Sequence, residues 1–170
     1  MIYFDCDGTI LDTEDLLFEE WRKNPDRANL PSGAKIDYIR KADWRSILYD
    51  APILSNSIEI LKEIDPMKSA ILTKIHSRDN EGKWKEIYFR EKGVKQKIIF
   101  VPYYCKKTEI VIARGNELVD DCLKNVRDWQ DNEGEAYFFD IDGNNIDRWG
   151  EFNKEGFTRV RSLERFINYK

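Results

Sequence analysis

The sequence predicts an α/β fold in three layers, a mainly parallel sheet with helices on both faces. Three observations predict it. Short apolar runs alternate along the chain with segments whose apolar residues recur at helical spacing. Several of those runs stop abruptly at an acid or a hydroxyl: Asp5, Thr73 and Asp120. Crossovers in such a sheet are right-handed, which gathers the strand ends on one edge. Finally, a chain of 170 residues that is 41% hydrophobic and 35% charged suits one domain with a real core and excludes a mostly disordered one.

Met1-Ile-Tyr-Phe4 is an apolar run long enough for one buried strand, closed by Asp5 and Asp7 on either side of Cys6. Residues 12–51 read differently from their surroundings. Leu16, Leu17, Phe18 and Trp21 fall at helical spacing until Asn24-Pro25-Asp26. After a second break at Pro31-Ser32-Gly33, Ile36, Ile39, Ile47 and Leu48 continue a second helical pattern. The segment is expected to be a small helical hairpin, a cap over 12–51 inserted into a core made of 1–11 and 52–170. Pro52 and Ser55 announce the next helix, with Ile58, Leu61 and Ile64 on its inner face.

Ser69 to Thr73 is the second strand. The helix from Asp79 to about Lys92 carries Trp84, Ile87 and Tyr88, and Gly93 suits its C-terminus. Lys97 to Val101 is the third strand, Glu117 to Asp121 the fourth, with Leu123, Val126 and Trp129 marking the helix behind it. Glu135 to Phe139 is a fifth strand, Thr158 to Arg161 a short further one, and Leu163 to Ile167 a closing helix.

Residues two apart on an extended chain point the same way, so Asp5 and Asp7 leave the first strand close together while Gly8 and Thr9 turn the chain. Ligands of open α/β sheets bind at the carboxyl ends of the strands. Two unpaired carboxylates there need a cation or a shared proton. D-x-D-G also opens calcium loops and ordinary turns. However, Asp5-Cys-Asp7-Gly8-Thr9 resembles motif I of the haloacid dehalogenase-like (HAD) phosphohydrolases, and further matches follow in that family's order. Thr73 is similar to the motif II hydroxyl that binds the transferred phosphoryl group. Lys107, or its neighbour Lys106, resembles the motif III lysine. Asp120-Asp121 resembles the paired acids of motif IV, with Asn125 in a supporting position.

The resemblance implies a Rossmann-like HAD core with a helical cap, and a Mg²⁺-dependent phosphomonoester hydrolase. Asp5 would be the nucleophile that forms an aspartyl-phosphate, and Asp7 the acid and then the base. Thr73 and Lys107 would hold the phosphoryl group. The Asp5 carboxylate, the Asp7 backbone carbonyl, Asp120 and, through water, Asp121 would hold Mg²⁺.

Within that group the likeness is greatest to the 5'(3')-deoxyribonucleotidases. It rests on the insertion, the Lys83-Trp84-Lys85-Glu86-Ile-Tyr-Phe helix, Lys107-Thr108 and the acidic pair. It implies a nucleoside monophosphate as substrate, with Phe18, Trp21, Tyr38, Trp44 and Tyr49 as candidate base stackers. Two features depart from the nucleotidase pattern: the longer spacing between Lys107 and Asp120, and Lys-Ile-His-Ser after Thr73. Another small phosphate ester, a nucleic-acid end, and a non-catalytic Mg²⁺-binding domain stand as alternatives.

Asp140, Asp142, Asn144 and Glu151 sit at calcium-loop positions, but Asn145 stands where the loop needs glycine, so a turn is expected there. A net charge of -4 offers no global basic field and no extended nucleic-acid surface. No apolar run approaches the length of a membrane span. Three cysteines, odd in number and without zinc spacing, suit a reduced, cytoplasmic protein.

Overall fold

The computed structural model describes residues 1–141 and 156–168. Among the described residues, six parallel strands form one sheet in the order β3-β2-β1-β4-β5-β6. They are β1 (Ile2–Phe4), β2 (Ser69–Ile75), β3 (Lys97–Pro102), β4 (Glu117–Asp120), β5 (Glu135–Phe139) and β6 (Thr158–Val160). The helices are α1 (Glu14–Lys23), α2 (Ala34–Lys41), α3 (Trp44–Asp50), α4 (Ser57–Glu63), α5 (Lys83–Glu91) and α6 (Leu123–Asp131).

Period-two alternation along the strands builds two apolar layers. Ile2 and Phe4 join one cluster with Ile58, Leu61, Tyr88 and Phe89 of α4 and α5. Tyr3, between them, faces the other way and packs with Leu72, Leu118 and Val126 and Trp129 of α6. Both faces of β1 are therefore covered, which is why its sequence is continuously apolar rather than alternating.

The segment 12–51 forms three helices rather than a hairpin of two. The second pattern breaks at Ala42-Asp43, where the Asp43 carboxylate accepts the Ser46 N–H and caps α3. Leu17, Ile39, Trp44 and Leu48 then join the same apolar cluster as Phe4 and Phe89. The expected closing helix is a single 3-10 turn, Glu164–Phe166. No helix among the described residues is long and apolar enough to cross a membrane.

Register positions the site. Phe4 lies opposite Ile71 on one side and Val119 on the other. The chain thus leaves the sheet at Asp5 between the ends of β2 and β4, beside Thr73 and Asp120.

Candidate active site

The first loop is shaped by Cys6, whose carbonyl accepts the N–H groups of Ile10 and Leu11. Gly8 takes φ +77°, and a Cβ there would lie 2.1 Å from Asp121 Oδ2. A side chain at position 8 is excluded both by the backbone and by the carboxylate pressed against it.

Lys107 closes the site from the far side. Its Nζ, buried to 2% exposure, lies 2.6 Å from Asp5 Oδ1 and 2.6 Å from Asp120 Oδ2. Lys106 instead points outward and pairs with Asp128 at 2.5 Å. Asp120 is fixed by the Cys122 N–H at 2.8 Å and by Asn125 Nδ2 at 3.2 and 3.0 Å. Carboxylate oxygens of Asp5, Asp120 and Asp121 all lie within 4.8 Å of one another. That is an all-oxygen donor set of the kind a hard divalent cation takes.

Electrostatics mark the same cluster. Burial, reinforced by the charges of Asp120 and Asp7 and opposed by Lys107, pushes the Asp5 carboxyl up to about 7. Burial and the neighbouring Asp120 and Asp5 push Asp121 well above the usual carboxylate range. Burial alone would lower the Lys107 ammonium, but Asp120 and Asp5 outweigh it and hold it raised. The Cys6 thiol is pushed well up by burial, which removes it as a nucleophile.

Asp7 faces a second group of residues. Its Oδ1 accepts the Thr13 hydroxyl at 2.7 Å, and its Oδ2 lies 2.5 Å from Lys85 Nζ and 3.4 Å from Thr73 Oγ1. Lys85 is completely buried and also donates to Glu81 at 2.8 Å and Thr73 at 3.1 Å. Glu81 in turn accepts the His76 N–H at 2.7 Å. Burial opposes the charge on Lys85, but Asp7 and Glu81 hold its ammonium well above the ordinary value.

Lys85 and Glu81 were not visible as site residues in the sequence. Trp84, Ile87 and Tyr88 predict the inner face of α5, whereas the buried face runs Glu81, Lys85, Tyr88, Phe89, offset by a residue. The available signal was the i, i+4 acid–base pair in line with Tyr88 and Phe89, which reads equally well as a solvated one. A π-helical turn, Arg78–Gly82, leads into α5 and aims Glu81 inward.

The expected base stackers are mostly spent on packing. Trp44 is 2% exposed, donates to the Ile39 carbonyl at 2.9 Å and covers Lys85. Tyr38 bonds the Leu17 carbonyl at 2.9 Å and packs on Trp21, Phe18 lies under Lys35, and Tyr49 packs on Tyr88. Asp140 is buried with Arg159 at 3.7 Å, while Asp142, Asn144, Asn145 and Glu151 lie outside the described residues.

No protein-family profile matches the chain, and no curated protein matches it. Solved structures do. A candidate HAD-hydrolase of Bacillus subtilis, bound to magnesium, aligns with TM-score 0.58 at 14% identity over 96% of this chain and 95% of its own. A haloacid dehalogenase-like family protein of Streptococcus pneumoniae aligns with TM-score 0.58 at 10% identity, over 99% and 97%. The D,D-heptose 1,7-bisphosphate phosphatase of Burkholderia thailandensis aligns with TM-score 0.52 at 12% identity, over 98% and 94%. At such identities the likeness concerns architecture, and the chain has the α/β fold of the HAD hydrolases.

Proposed function

We propose that the chain is a phosphomonoester hydrolase that works through an aspartyl-phosphate on Asp5, with a nucleoside monophosphate as the simplest substrate. One observation carries the reading: Lys107 Nζ sits 2.6 Å from both Asp5 and Asp120, with Asp121 completing the carboxylate group. A structural ion pair needs one acid, whereas this lysine holds two acids in a group of three, at the sheet edge where ligands bind.

Asp5, Asp120 and Asp121 would hold Mg²⁺, with the Asp7 carbonyl as a further ligand, and the ion would neutralise charge on the phosphoryl oxygens. The magnesium-bound Bacillus structure supports the choice of metal. A carboxylate oxygen of Asp5 attacks phosphorus and the ester P–O bond breaks, its electron pair leaving with the alkoxide. Asp7 supplies the proton that alkoxide takes. Water then attacks the phosphorus of the aspartyl-phosphate and Asp7 accepts its proton. The bond to Asp5 breaks, freeing inorganic phosphate and restoring the carboxylate. Lys107 places a fixed positive charge beside the nucleophile throughout.

Asp7 accepts hydrogen bonds from Lys85 and Thr13, an arrangement ready for the base step. The acid step, which comes first, would require that carboxyl to carry the proton it gives to the alkoxide. Residues 12–51 would serve as a small cap beside the site.

The test is phosphate release from nucleoside 5'- and 3'-monophosphates, sugar phosphates and an aryl phosphate, with Mg²⁺ and with chelator. Acid-quenched protein should carry label from radioactive substrate on Asp5. Turnover that persists with chelator or in Asp5→Asn would overturn the mechanism.

A further inference from the structure

The strand-end edge of the sheet carries two adjoining clefts that the chemistry above does not use. One, of about 640 Å³, runs along the outer strand β3, with Lys97, Arg78 and Arg40 among its lining residues. The other, of about 660 Å³, continues past Lys74 and Lys106 to Lys124 and Arg127 of α6. Tyr103 and Tyr104 belong to both. Each cleft alone is large enough for a complete small ligand.

Their charge is opposite to that of the chain. Seven cationic side chains line the two clefts against only two carboxylates, Asp128 and Asp131, in a protein of net charge -4. Asp128 is already engaged by Lys106 at 2.5 Å and Thr108 at 2.6 Å, while Arg78 and Arg40 meet Glu86 at 3.5 Å and Asp37 at 3.7 Å in exposed, loosely held pairs that an incoming anion can replace. The balance of the whole sequence, which predicts no nucleic-acid surface, conceals this because the fold gathers cations on one face.

The aromatic groups have a matching arrangement. Tyr103 stacks on His76 with centroids 4.7 Å apart and planes 13° apart, and so is held rigid. Tyr104 meets Tyr103 edge-on at 5.3 Å and is 75% exposed, with no packing role that explains so large an apolar ring in water. An exposed ring within a cationic groove is what stacking a nucleobase requires.

The inner end of the second cleft is the wall of the carboxylate site. Asn125 lines the cleft and donates to Asp120 at 3.0 Å, and Lys74 follows Thr73 directly. From Lys97 to Pro102 the outer strand extends the groove by about 17 Å at roughly 3.3 Å per residue, well beyond one nucleotide.

We propose that this face is a groove for single-stranded nucleic acid, and that the ester presented to Asp5 is the terminal phosphate of an oligonucleotide. The choice of ester rests on the phosphatase reading, while the groove rests on its own residues. Cations along both clefts take the successive phosphates, and Tyr104 stacks a base.

The experiment compares kcat/KM for a mononucleotide and for 5'- and 3'-phosphorylated oligothymidylates of two to six residues, each relative to an aryl phosphate. The expected result is a gain of at least tenfold from mononucleotide to tetranucleotide. Binding of oligothymidylate should weaken with salt at a log–log slope of about -0.7 per phosphate contacted. Arg78→Ala and Tyr104→Ala should each remove most of the gain in the oligonucleotide-to-aryl ratio. A ratio independent of length overturns the proposal. A gain reproduced by inorganic polyphosphate as competitor and untouched by Tyr104→Ala overturns it in favour of a simple polyanion site. If no ester is cleaved, the phosphatase reading has failed, and anisotropy of a fluorescent twelve-residue oligothymidylate decides the groove alone. Salt-sensitive binding lost in both variants supports the groove, and absence of binding at low salt overturns it.

Discussion

Lys85→Met tests the physical account of the second half of the site. Lys85 has no exposed surface and lies within hydrogen-bond distance of Asp7 at 2.5 Å, Glu81 at 2.8 Å and Thr73 at 3.1 Å. Methionine keeps most of the volume under Trp44 and removes only the charge, so cavity effects stay small. Glu81, 2% exposed, then keeps its carboxylate with the His76 N–H at 2.7 Å and the His76 ring at 3.6 Å as partners and no buried cation. Deleting one member of a buried pair costs about 3–5 kcal/mol, because the remaining charge is stranded. For a chain of this length that is a fall in Tm of roughly 6–20 °C.

The pH dependence separates stranded charge from generic misfit. In the native protein burial opposes ionisation of Glu81, but Lys85 and the His76 bonds outweigh it and lower its folded value below 4.5. Its stabilising contribution is therefore present above the unfolded value and lost as pH falls through the folded one. Lys85 is raised, so its own contribution is complete below 10.5 and constant across the neutral range. Without Lys85, burial dominates and Glu81 rises above its unfolded value, a penalty that is full at neutral pH and relieved on acidification. The gap in Tm between native protein and Lys85→Met should narrow steadily from pH 8 to pH 5, as read by differential scanning calorimetry. Adding Glu81→Gln should recover part of the loss, a coupling that a double-mutant cycle measures. A gap under 2 °C, or one unchanged with pH, would refute the idea that Lys85 neutralises buried acid.

Further outcomes follow from the same geometry. Asp7→Asn should lower kcat by about 10²–10⁴-fold, the usual range for a lost acid–base group, with Mg²⁺ binding by calorimetry preserved. Unchanged turnover would remove Asp7 from the chemistry. Gly8→Ala, forced to φ +77° with its Cβ 2.1 Å from Asp121, should lose about 1–3 kcal/mol of stability and bind Mg²⁺ more weakly. Wild-type Mg²⁺ affinity would contradict the place given to Asp121. Because the Asp5 carboxyl lies up near 7, protons should compete with the metal, so the rise in Tm on adding Mg²⁺ should be larger at pH 8 than at pH 6. An equal rise at both would show that Asp5 does not exchange a proton for the ion.

Lys107 was legible only through its resemblance to motif III, whereas the strand positions and the convergence of Asp5, Thr73, Asp120 and Asp121 each depend on a short apolar run and what ends it. Those are local features with one meaning in a parallel sheet. Asn125 was legible only as a position, since nothing local says that a helix residue will turn back to Asp120. The break between α2 and α3 was written in Asp43 and Ser46, a short capping signal overshadowed by the run of isoleucines around it. Lys85 and Glu81 were hidden for a deeper reason. Hydrophobic periodicity identifies a buried face by apolar residues, and here the buried face carries a charge pair made tolerable by Asp7, which is 78 residues away from Lys85. The cationic face was hidden too, because its members come from α2, β2, β3 and α6 and their loops.

The two charge distributions divide the work of handling an anion. Asp5, Asp7, Asp120, Asp121 and Glu81 outnumber Lys85 and Lys107 in the interior, so the bare site carries an excess of acid. Burial responds by raising Asp5 and Asp121, which favours holding protons in place of a cation. On the proposed reading, a divalent ion that replaced those protons would supply the positive charge that a phosphate dianion needs. Attraction at longer range cannot come from there, because over distances beyond about 8 Å at physiological salt only unscreened or nearby charge is felt. The cations of the two clefts begin where Lys74 and Asn125 meet the site and continue outward along β3, and so they act on the part of a ligand that never reaches the metal. On the two proposals together, binding energy gathered on that face would hold the reacting phosphate against the charge at Asp5, which is the use an enzyme makes of contacts remote from the bond it breaks.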